Sequence, residues 1–421
     1  MKVAVVYQYF QGHGAPGHSL IYELTQHLAG RGHQVTVISG ETGYMRRDTP
    51  TLPWYRRMVR KERDGQVTVV RTFTYSELHR SFFGRLMSFL SFSLSCPAGL
   101  LSIDKPDVVL ASSPPIFPMF STWLVCKLRG IPFVLEVRDL WPASAVQMGI
   151  LKNRQLIGVM SWMERLLYNQ SSRIIALTEG IRDDICARGW PENKVELVTC
   201  GVDVDRLYPD EAGAAFVRER HGWQGRRIML YFGALGEANN IPVILRTAQR
   251  MRDRHDVLFV LIGDGMKRQA TEREVSSLAL ANVVMLPPVP KDDARMYISA
   301  ADACLVTLRD IPLFDGAIPT KLIDYMACGK PVLCGVRGEA QRIVEDAAAG
   351  LIFEPDDDEH LAGLVAGILD DGSAAARMGR DGLAYVRSRF PASRMRTQME
   401  AALIDVVQGR SAAHPPEDRS S

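Results

Sequence analysis

The sequence predicts an α/β protein built from two doubly wound parallel-sheet domains of the Rossmann type, facing each other across a cleft. Short runs rich in Val, Ile and Leu recur along the chain, and longer amphipathic segments such as 18–31 and 156–170 separate most of them. After a polar, helical stretch at 203–223 the same pattern starts again. Continuous apolar strands alternating with helices indicate a parallel sheet covered on both faces, which binds ligands at the carboxyl ends of its strands.

The predicted domains follow from where these strands lie. We expect residues 1–203 to form the first domain and 204–394 the second, followed by a helix over about 395–408 and a disordered, Pro-rich tail at 409–421. The first set of strands is predicted at 3–7, 35–38, 67–71, 108–111, 133–137, 174–177 and 195–199. The second set is predicted at 228–233, 257–263, 283–286, 303–308, 331–334 and 351–353.

Composition is that of an ordinary globular protein with room for two cores: 421 residues, 47% hydrophobic and 23% charged. Seven scattered cysteines without a CxxC pair are typical of a reducing cytoplasm. The first apolar run, VAVVY, is short and has no cleavage site, so no secretory signal is expected.

The net charge of +2 is divided as +6 over residues 1–203 and −4 over the rest. The first domain should therefore prefer anionic partners.

Residues 86–103 carry no charge, but Pro97, Gly99 and five serines make them a poor transmembrane helix. A basic and aromatic cluster precedes this segment, comprising Arg46, Arg47, Trp54, Tyr55, Arg56, Arg57, Arg60, Lys61 and Arg63. This composition favours peripheral contact of residues 46–100 with anionic lipid on the inner face of the cytoplasmic membrane. A buried helix is the alternative. No nucleic-acid motif is present, so no nucleic-acid partner is expected.

The most informative stretch is 312–334, where a loop, a short helix, a turn and a strand follow one another. Pro319 disfavours helix before it, Thr320 can cap the helix, and Gly329 with Pro331 ends it. The helix N-terminus suits a phosphate, and Asp324 lies one turn inside.

These residues resemble a known family. The pattern Tyr325-Met326-Ala327-x-Gly329-x-Pro331-Val332, after Pro319-x-Lys321 and with an acid at 324, is similar to the donor motif of retaining GT-B glycosyltransferases of family 4. The similarity is greatest to the O-antigen, capsule and exopolysaccharide branch, including N-acetyl-fucosamine transferase-like enzymes. The family's motif is Glu-x7-Glu, but this chain has Gly316 and Asp324 at the two positions.

The resemblance implies transfer of a hexosyl or N-acetylhexosaminyl group from a nucleotide-diphosphate sugar to a lipid-diphosphate-linked acceptor. It also implies that the helix at 395–408 packs back on the first domain. Two alternatives remain open: a nucleotide-sugar 2-epimerase, which shares the two-domain build, and a binding-only scaffold subunit.

Two stretches of the first domain are candidate sites. A Gly-rich turn after the first strand contains Gly14, Gly17 and His18, and it is either a ligand-binding turn or a solvated one. It does not match GxGxxG, so dinucleotide binding is not indicated. Arg138 and Asp139, in the block RDLWP, follow a predicted strand and are either a structural pair or part of the site. By resemblance, both are catalytic and face the transferred sugar.

The second domain supplies the predicted donor site. Gly233 and Gly236 lie in a turn that suits a diphosphate, and Gly263 and Gly265 form a similar turn after the next strand. By resemblance, Val289 holds the nucleobase. The family's cations at 234–240 are missing here, so Lys321 or Arg138 is expected to neutralise the diphosphate. The remaining predicted donor contacts are Asp315, Gly316, Ala317, Ile318, Pro319 and Thr320, with Lys321 and Asp324 classed as catalytic.

No metal and no other cofactor is expected. A DxD string does occur at 203–205, but it lies in the predicted linker and reads as a turn rather than a Mn²⁺ site.

Overall fold

The computed structural model describes residues 1–12, 20–41, 58–75 and 82–410. It divides into two compact units. The first runs to Thr199 and resumes at Met395, and the second comprises Cys200–Arg394. Each unit contains one sheet made largely or wholly of parallel strands with helices between them. The predicted class, two Rossmann-like parallel-sheet domains, is confirmed.

The first unit contains an eight-stranded sheet in the order β3-β4-β2-β1-β5-β6-β7-β8. All neighbouring strands pair in parallel except β3 and β4. The strands are β1 (Lys2–Val6), β2 (Gln34–Gly40), β3 (Val59–Asp64), β4 (Val67–Thr72), β5 (Val108–Ser113), β6 (Phe133–Val137), β7 (Arg173–Ala176) and β8 (Val195–Leu197). Every predicted strand of this half forms. The apolar runs of β1, β2, β5, β6 and β7 are buried inside the sheet, whereas β8 lies at its edge and buries only Val195.

Strand β3 was missed by the sequence reading because VRKERD has almost no apolar pattern. It is an antiparallel edge strand, joined to β4 by a hairpin in which Gly65 adopts φ 61°. Part of the predicted basic cluster lies on it: Lys61 Nζ donates to the carbonyl of Ser102 at 2.7 Å. The rest of that cluster, Arg46, Arg47 and 54–57, lies outside the described residues.

The helices of the first unit up to residue 199 are α1 (Leu20–Gly30), α2 (Phe82–Leu101), α3 (Ile116–Arg129), α4 (Ala143–Gln147), α5 (Arg154–Gln170) and α6 (Glu179–Ala187). Helix α2 takes up most of the uncharged segment 86–103 and buries Phe89, Phe92, Cys96 and Leu100 against the unit. Within the residues that the structure describes, we find no helix with the length and apolar character needed to cross a membrane.

The second unit contains a six-stranded, fully parallel sheet in the order β11-β10-β9-β12-β13-β14. Its strands are β9 (Arg227–Phe232), β10 (Val257–Ile262), β11 (Val283–Leu286), β12 (Ala303–Thr307), β13 (Val332–Gly335) and β14 (Gly350–Ile352). Its helices are α7 (Glu211–His221), α8 (Ile241–Arg250), α9 (Arg268–Ser277), α10 (Lys291–Ala300), α11 (Thr320–Ala327), α12 (Glu339–Asp346), α13 (Asp358–Asp370) and α14 (Gly372–Arg389). The six predicted strands of this half all form.

The last helix, α15 (Ala392–Val407), joins the first unit from Met395 onward. Its Glu400 is buried and accepts hydrogen bonds from His27 Nε2 at 3.0 Å and His33 Nε2 at 2.9 Å. Near the end of the helix, Asp405 lies 3.9 Å from the guanidinium of Arg173. Buried charged groups therefore fix this helix to the first unit.

Candidate active site

Two glycine turns of the second unit pack directly on each other at the carboxyl ends of β9 and β10. Leu235 N donates to the carbonyl of Asp264, and Lys267 N donates to that of Leu235, both at 2.9 Å. A Cβ on Gly263 would overlap the carbonyl oxygen of Gly233, and one on Gly265 would overlap that of Leu235. These two glycines are thus required by the packing of the turns themselves.

Helix α11 begins directly after Pro319, which occupies the N-cap position. The prediction that Thr320 caps the helix was wrong: Thr320 is the first helical residue, it is exposed, and no side chain caps the helix. The predicted stop is confirmed, because Gly329 adopts the left-handed φ of 66° just after the helix.

Lys321 reaches from α11 to the turn after β9. Its Nζ donates to Tyr231 Oη at 2.5 Å and to Asn239 Oδ1 at 3.2 Å, and it lies 3.8 Å from the centroid of the Tyr231 ring. A Cβ on Gly233 would lie 3.2 Å from the lysine Cε. Burial of the ammonium group lowers the pKa of Lys321 to about 7. The structure therefore brings a titratable cation against the predicted diphosphate turn.

The neighbouring residues of α11 hold this arrangement in place. Tyr325 Oη accepts from Phe232 N at 2.7 Å and donates to Phe232 O at 3.2 Å, which ties the helix to the end of β9. Asp324 lies between Lys321 and Tyr325 in sequence and is half-buried.

The other predicted donor contacts lie before α11. Asp315 and Gly316 end a 3-10 turn, Pro312–Gly316, in which Asp315 is exposed. Ala317, Ile318 and Pro319 continue from this turn and are half-buried. The backbone of Asp315 packs against Gly338, at the start of α12, so closely that a Cβ there would overlap it. Val289 is half-buried in the loop between β11 and α10.

Three charged side chains beside the glycine turn were not predicted as site residues. Glu237, in the turn, lies 2.6 Å from Lys267 Nζ and 3.5 Å from Arg309 Nη1, and all three side chains are between 38% and 48% exposed. Arg309 N also donates to the carbonyl of Ala238 at 2.9 Å. Both cations follow the carboxyl end of a strand, which is the signal that could have identified them.

In the first unit, Arg138 and Asp139 have different surroundings. Arg138 donates from Nε to Ser112 Oγ at 2.8 Å and to Glu136 Oε2 at 3.0 Å, so its charge is balanced by a buried acid. Asp139 accepts from Ser144 Oγ at 2.9 Å, and burial raises the pKa of its carboxyl. Gly14, Gly17 and His18 lie outside the described residues.

Asp139 also lines an apolar pocket of about 250 Å³ in the first unit. Helices α2, α3 and α5 contribute part of its wall, and loops contribute the rest. Trp141 stands edge-on to Phe89 in this wall, with ring centroids 6.1 Å apart. The apolar lining includes Leu86, Phe89, Phe117, Trp141, Leu156 and Met160. A carboxyl at the border of an apolar pocket can bind a hydroxyl of a ligand whose remainder is apolar.

The described part of the chain contains no group of three or more His, Cys, Asp or Glu side chains that could hold a metal ion. The DxD string forms a turn, in which Asp203 Oδ1 accepts from Asp205 N at 3.1 Å.

Family models match both halves of the chain. Residues 18–206 match the model described as Glycosyltransferase Family 4, and residues 215–384 match the model described as glycosyl transferases group 1. Together the two matches cover most of the sequence. The chain therefore belongs to the GT-B glycosyltransferases of group 1 and family 4.

Individual relatives are distant. The chain is 25% identical to the GDP-mannose-dependent alpha-(1-6)-phosphatidylinositol monomannoside mannosyltransferase of Mycolicibacterium smegmatis, over 59% of this chain and 65% of the relative. It is 22% identical to the Escherichia coli K12 glycosyl transferase WcaI, named for colanic acid biosynthesis, over 73% of this chain and 76% of the relative. The first of these is matched over slightly less than two thirds of its length.

Solved structures share the fold. Anabaena Alr3699/HepE, in complex with UDP and glucose, aligns with a TM-score of 0.70 at 15% identity, over 96% of this chain and 99% of that chain.

Proposed function

We propose that the protein is a retaining, metal-independent glycosyltransferase. It moves a hexosyl or N-acetylhexosaminyl group from a nucleotide-diphosphate sugar to a hydroxyl of a lipid-diphosphate-linked acceptor. One observation carries the proposal: the enclosed ammonium of Lys321 contacts the glycine turn after β9. In a site of low dielectric, such a cation is a strong partner for a diphosphate whose charge grows as it leaves.

The neighbouring charges complete this donor site. Lys267 and Arg309 flank the same turn, and Glu237 holds both beside it. When the donor binds, Lys267 and Arg309 pair with the diphosphate in place of Glu237. These two side chains then supply the positive charge that the sequence of the turn lacks. Asp324 binds the ribose. Val289 contacts the base.

In the transfer step, the acceptor oxygen forms a bond to the anomeric carbon as the bond from that carbon to the diphosphate oxygen breaks. The electron pair stays on the nucleoside diphosphate. The acceptor proton passes to the leaving phosphate oxygen on the same face of the sugar, so the anomeric configuration is retained. Asp139 positions the acceptor hydroxyl.

We place this activity in bacterial surface polysaccharide synthesis, on the inner face of the cytoplasmic membrane. The names of relatives support the polysaccharide part of this proposal. WcaI is named for colanic acid biosynthesis, and the mannosyltransferase is named for phosphatidylinositol monomannoside, which contains a lipid. The HepE complex with UDP and glucose supports a nucleotide-sugar donor. The epimerase and scaffold alternatives are not favoured, since both matching models are of glycosyltransferases.

The donor is tested by calorimetry and thermal shift of the purified protein with UDP-, GDP-, dTDP- and CDP-sugars in EDTA. We expect saturable binding of one nucleotide sugar. Asp324→Ala and Lys321→Met should each weaken it by about tenfold or more, because each removes a direct polar contact. Product analysis by NMR with a prenyl-diphosphate-linked sugar then gives the anomer.

Other results would change the conclusion. A requirement for Mn²⁺ or Mg²⁺ would rule out metal independence, and an inverted product would rule out retention. If no nucleotide sugar bound in any condition, the binding-only scaffold would become the better description.

A further inference from the structure

Exposed apolar side chains are concentrated on three neighbouring helices of the first unit. Among the described residues, six of the thirteen exposed large hydrophobic side chains belong to α2, α3 and α5. The most exposed are Leu94, Leu128, Leu101 and Trp162, at 82%, 79%, 59% and 55%. The six residues are Leu94, Leu101, Leu124, Leu128, Val159 and Trp162. Apolar residues scattered singly over a surface need no explanation, but such a cluster marks an interaction site.

The three helices form one layer. Ser93 Oγ of α2 donates to the carbonyl of Phe117 in α3 at 2.9 Å. The rings of Phe120 in α3 and Trp162 in α5 have centroids 5.8 Å apart. Each helix buries its other side in the unit, so the exposed residues lie along the outer side of this layer.

The charge on the same layer has one sign. Every exposed or partly exposed charged side chain of these three helices, as far as they are described, is basic. The acid on them, Glu164, is buried and lies 2.5 Å from Arg188. The basic residues are Arg85, Lys127, Arg129, Arg154 and Arg165. Ordinary protein surfaces mix both signs, so this face has a marked preference for anions.

We propose that the outer face of α2, α3 and α5 is a docking surface for an anionic lipid bilayer. Apolar and aromatic side chains among lysines and arginines match an interface of acyl chains and negative headgroups. A second copy of the chain fits less well, because a two-fold contact would place this basic face against itself.

The proposal goes beyond the proposed function, because it assigns membrane attachment to α3 and α5 as well as to the segment 46–100, and it requires no donor. It also places the apolar pocket close to the bilayer. The pocket is walled by Leu86, Phe117 and Met160 from the same three helices. An acceptor lipid in the docked bilayer would therefore lie beside this pocket.

The test is flotation of the full-length protein with vesicles of equal parts phosphatidylcholine and phosphatidylglycerol, and with phosphatidylcholine alone. Binding should require phosphatidylglycerol and weaken with salt. The double substitution Leu128→Glu with Trp162→Glu should weaken binding by about tenfold or more, since it replaces apolar contacts by repelled charges. Lys127→Glu with Arg165→Glu should remove the preference for phosphatidylglycerol.

The matched control is Phe216→Glu, on α7 of the second unit, where the side chain is 54% exposed. It should bind vesicles as the unchanged protein does. Circular dichroism and thermal unfolding verify that each variant is folded.

The proposal is overturned if the unchanged protein does not bind these vesicles, or if folded Leu128→Glu, Trp162→Glu protein binds equally well. It is also overturned if these substitutions break a dimer seen by sedimentation while vesicle binding is absent, because the face would then be covered by a second copy. Donor binding in the same variants should be unchanged, which separates this result from the proposed function.

Discussion

Lys321 is a residue of the proposed donor site whose ionisation is changed by burial. An ordinary lysine remains protonated up to about pH 10. Burial lowers the pKa of Lys321 to about 7, so the residue loses much of its charge in the free protein within the neutral range. A diphosphate placed against Nζ would raise that pKa again, because it stabilises the charged form.

This coupling gives a pH-dependence with a definite sign. Between pH 7 and the raised pKa of Lys321 in the complex, Lys321 is protonated in the bound state and largely neutral in the free protein. Nucleotide-sugar binding therefore takes up a proton in this range and weakens as pH rises. We expect uptake of about one proton near pH 8.5 and almost none below pH 6, with up to tenfold weakening per pH unit between the two pKa values. Calorimetry in buffers of different ionisation enthalpy measures the number of protons taken up on binding. A nucleotide sugar is preferable to a free nucleoside diphosphate, whose terminal phosphate titrates near pH 6.

Lys330 provides the matched control. Burial lowers its pKa too, but it precedes β13 and so lies at the amino edge of the sheet, beside Asp302. Lys330→Met should keep the proton uptake, and Lys321→Met should abolish it. Uptake that persists in Lys321→Met would mean that a different group titrates with the donor.

At the scale of an element, helix α15 depends on one buried carboxylate. Burial acts to raise the pKa of Glu400, but the hydrogen bonds from His33 and His27 outweigh it and hold the pKa below its usual value. A lowered carboxyl pKa stabilises the fold above the unfolded pKa, and this contribution is lost as pH falls through the folded pKa.

Replacing this carboxylate should therefore destabilise the first unit in a pH-dependent way. We expect Glu400→Gln to lower the free energy of unfolding by about 1–3 kcal/mol at neutral pH, as for a buried charged hydrogen-bonding group. The difference should shrink as pH falls below about 4, and it should disappear below the lowered pKa of folded Glu400, where the glutamate of the unchanged protein is also protonated. Urea unfolding at both pH values measures it. Glu359, on α13 and 82% exposed beside Arg250, is the control, and its replacement by Gln should change little. Equal losses in both variants would show that the buried network is not the cause.

The elements also show where sequence reasoning succeeds. Strands such as β10 were predictable because every residue from Val257 to Ile262 is apolar and buried. Strand β3 lies at an edge and carries polar residues on both sides, so periodicity gave no signal, although Asp64-Gly65 is a hairpin dipeptide. The capping error at Thr320 arose because a proline took the N-cap position.

At the scale of the whole molecule, the two-sheet architecture follows from local patterns, but the contacts that build the candidate site do not. Lys321 and its partner Tyr231 are 90 positions apart in the sequence. Nothing in the local pattern around either residue specifies their contact. The same holds for the docking face, since exposure of Leu128 and Trp162 depends on how α3 and α5 pack. Motifs could therefore indicate which stretches carry chemistry, whereas side-chain partners required the structure.

The two units should respond to different ligands, because the proposed donor contacts of the described chain lie in the second unit and the proposed docking face lies in the first. Hydrogen exchange measured with a bound nucleotide sugar should show added protection at 231–240, 263–268 and 307–327, where Lys321, Lys267 and Arg309 converge on one turn. Vesicles containing phosphatidylglycerol should instead protect α2, α3 and α5. In Lys321→Met the first pattern should fade and the second should persist, while Leu128→Glu with Trp162→Glu should do the reverse. If the nucleotide sugar protected residues 138–160 and left 231–240 unchanged, the donor would have to be reassigned to the unit that contains Asp139. The proposed roles of the two glycine turns would then be wrong.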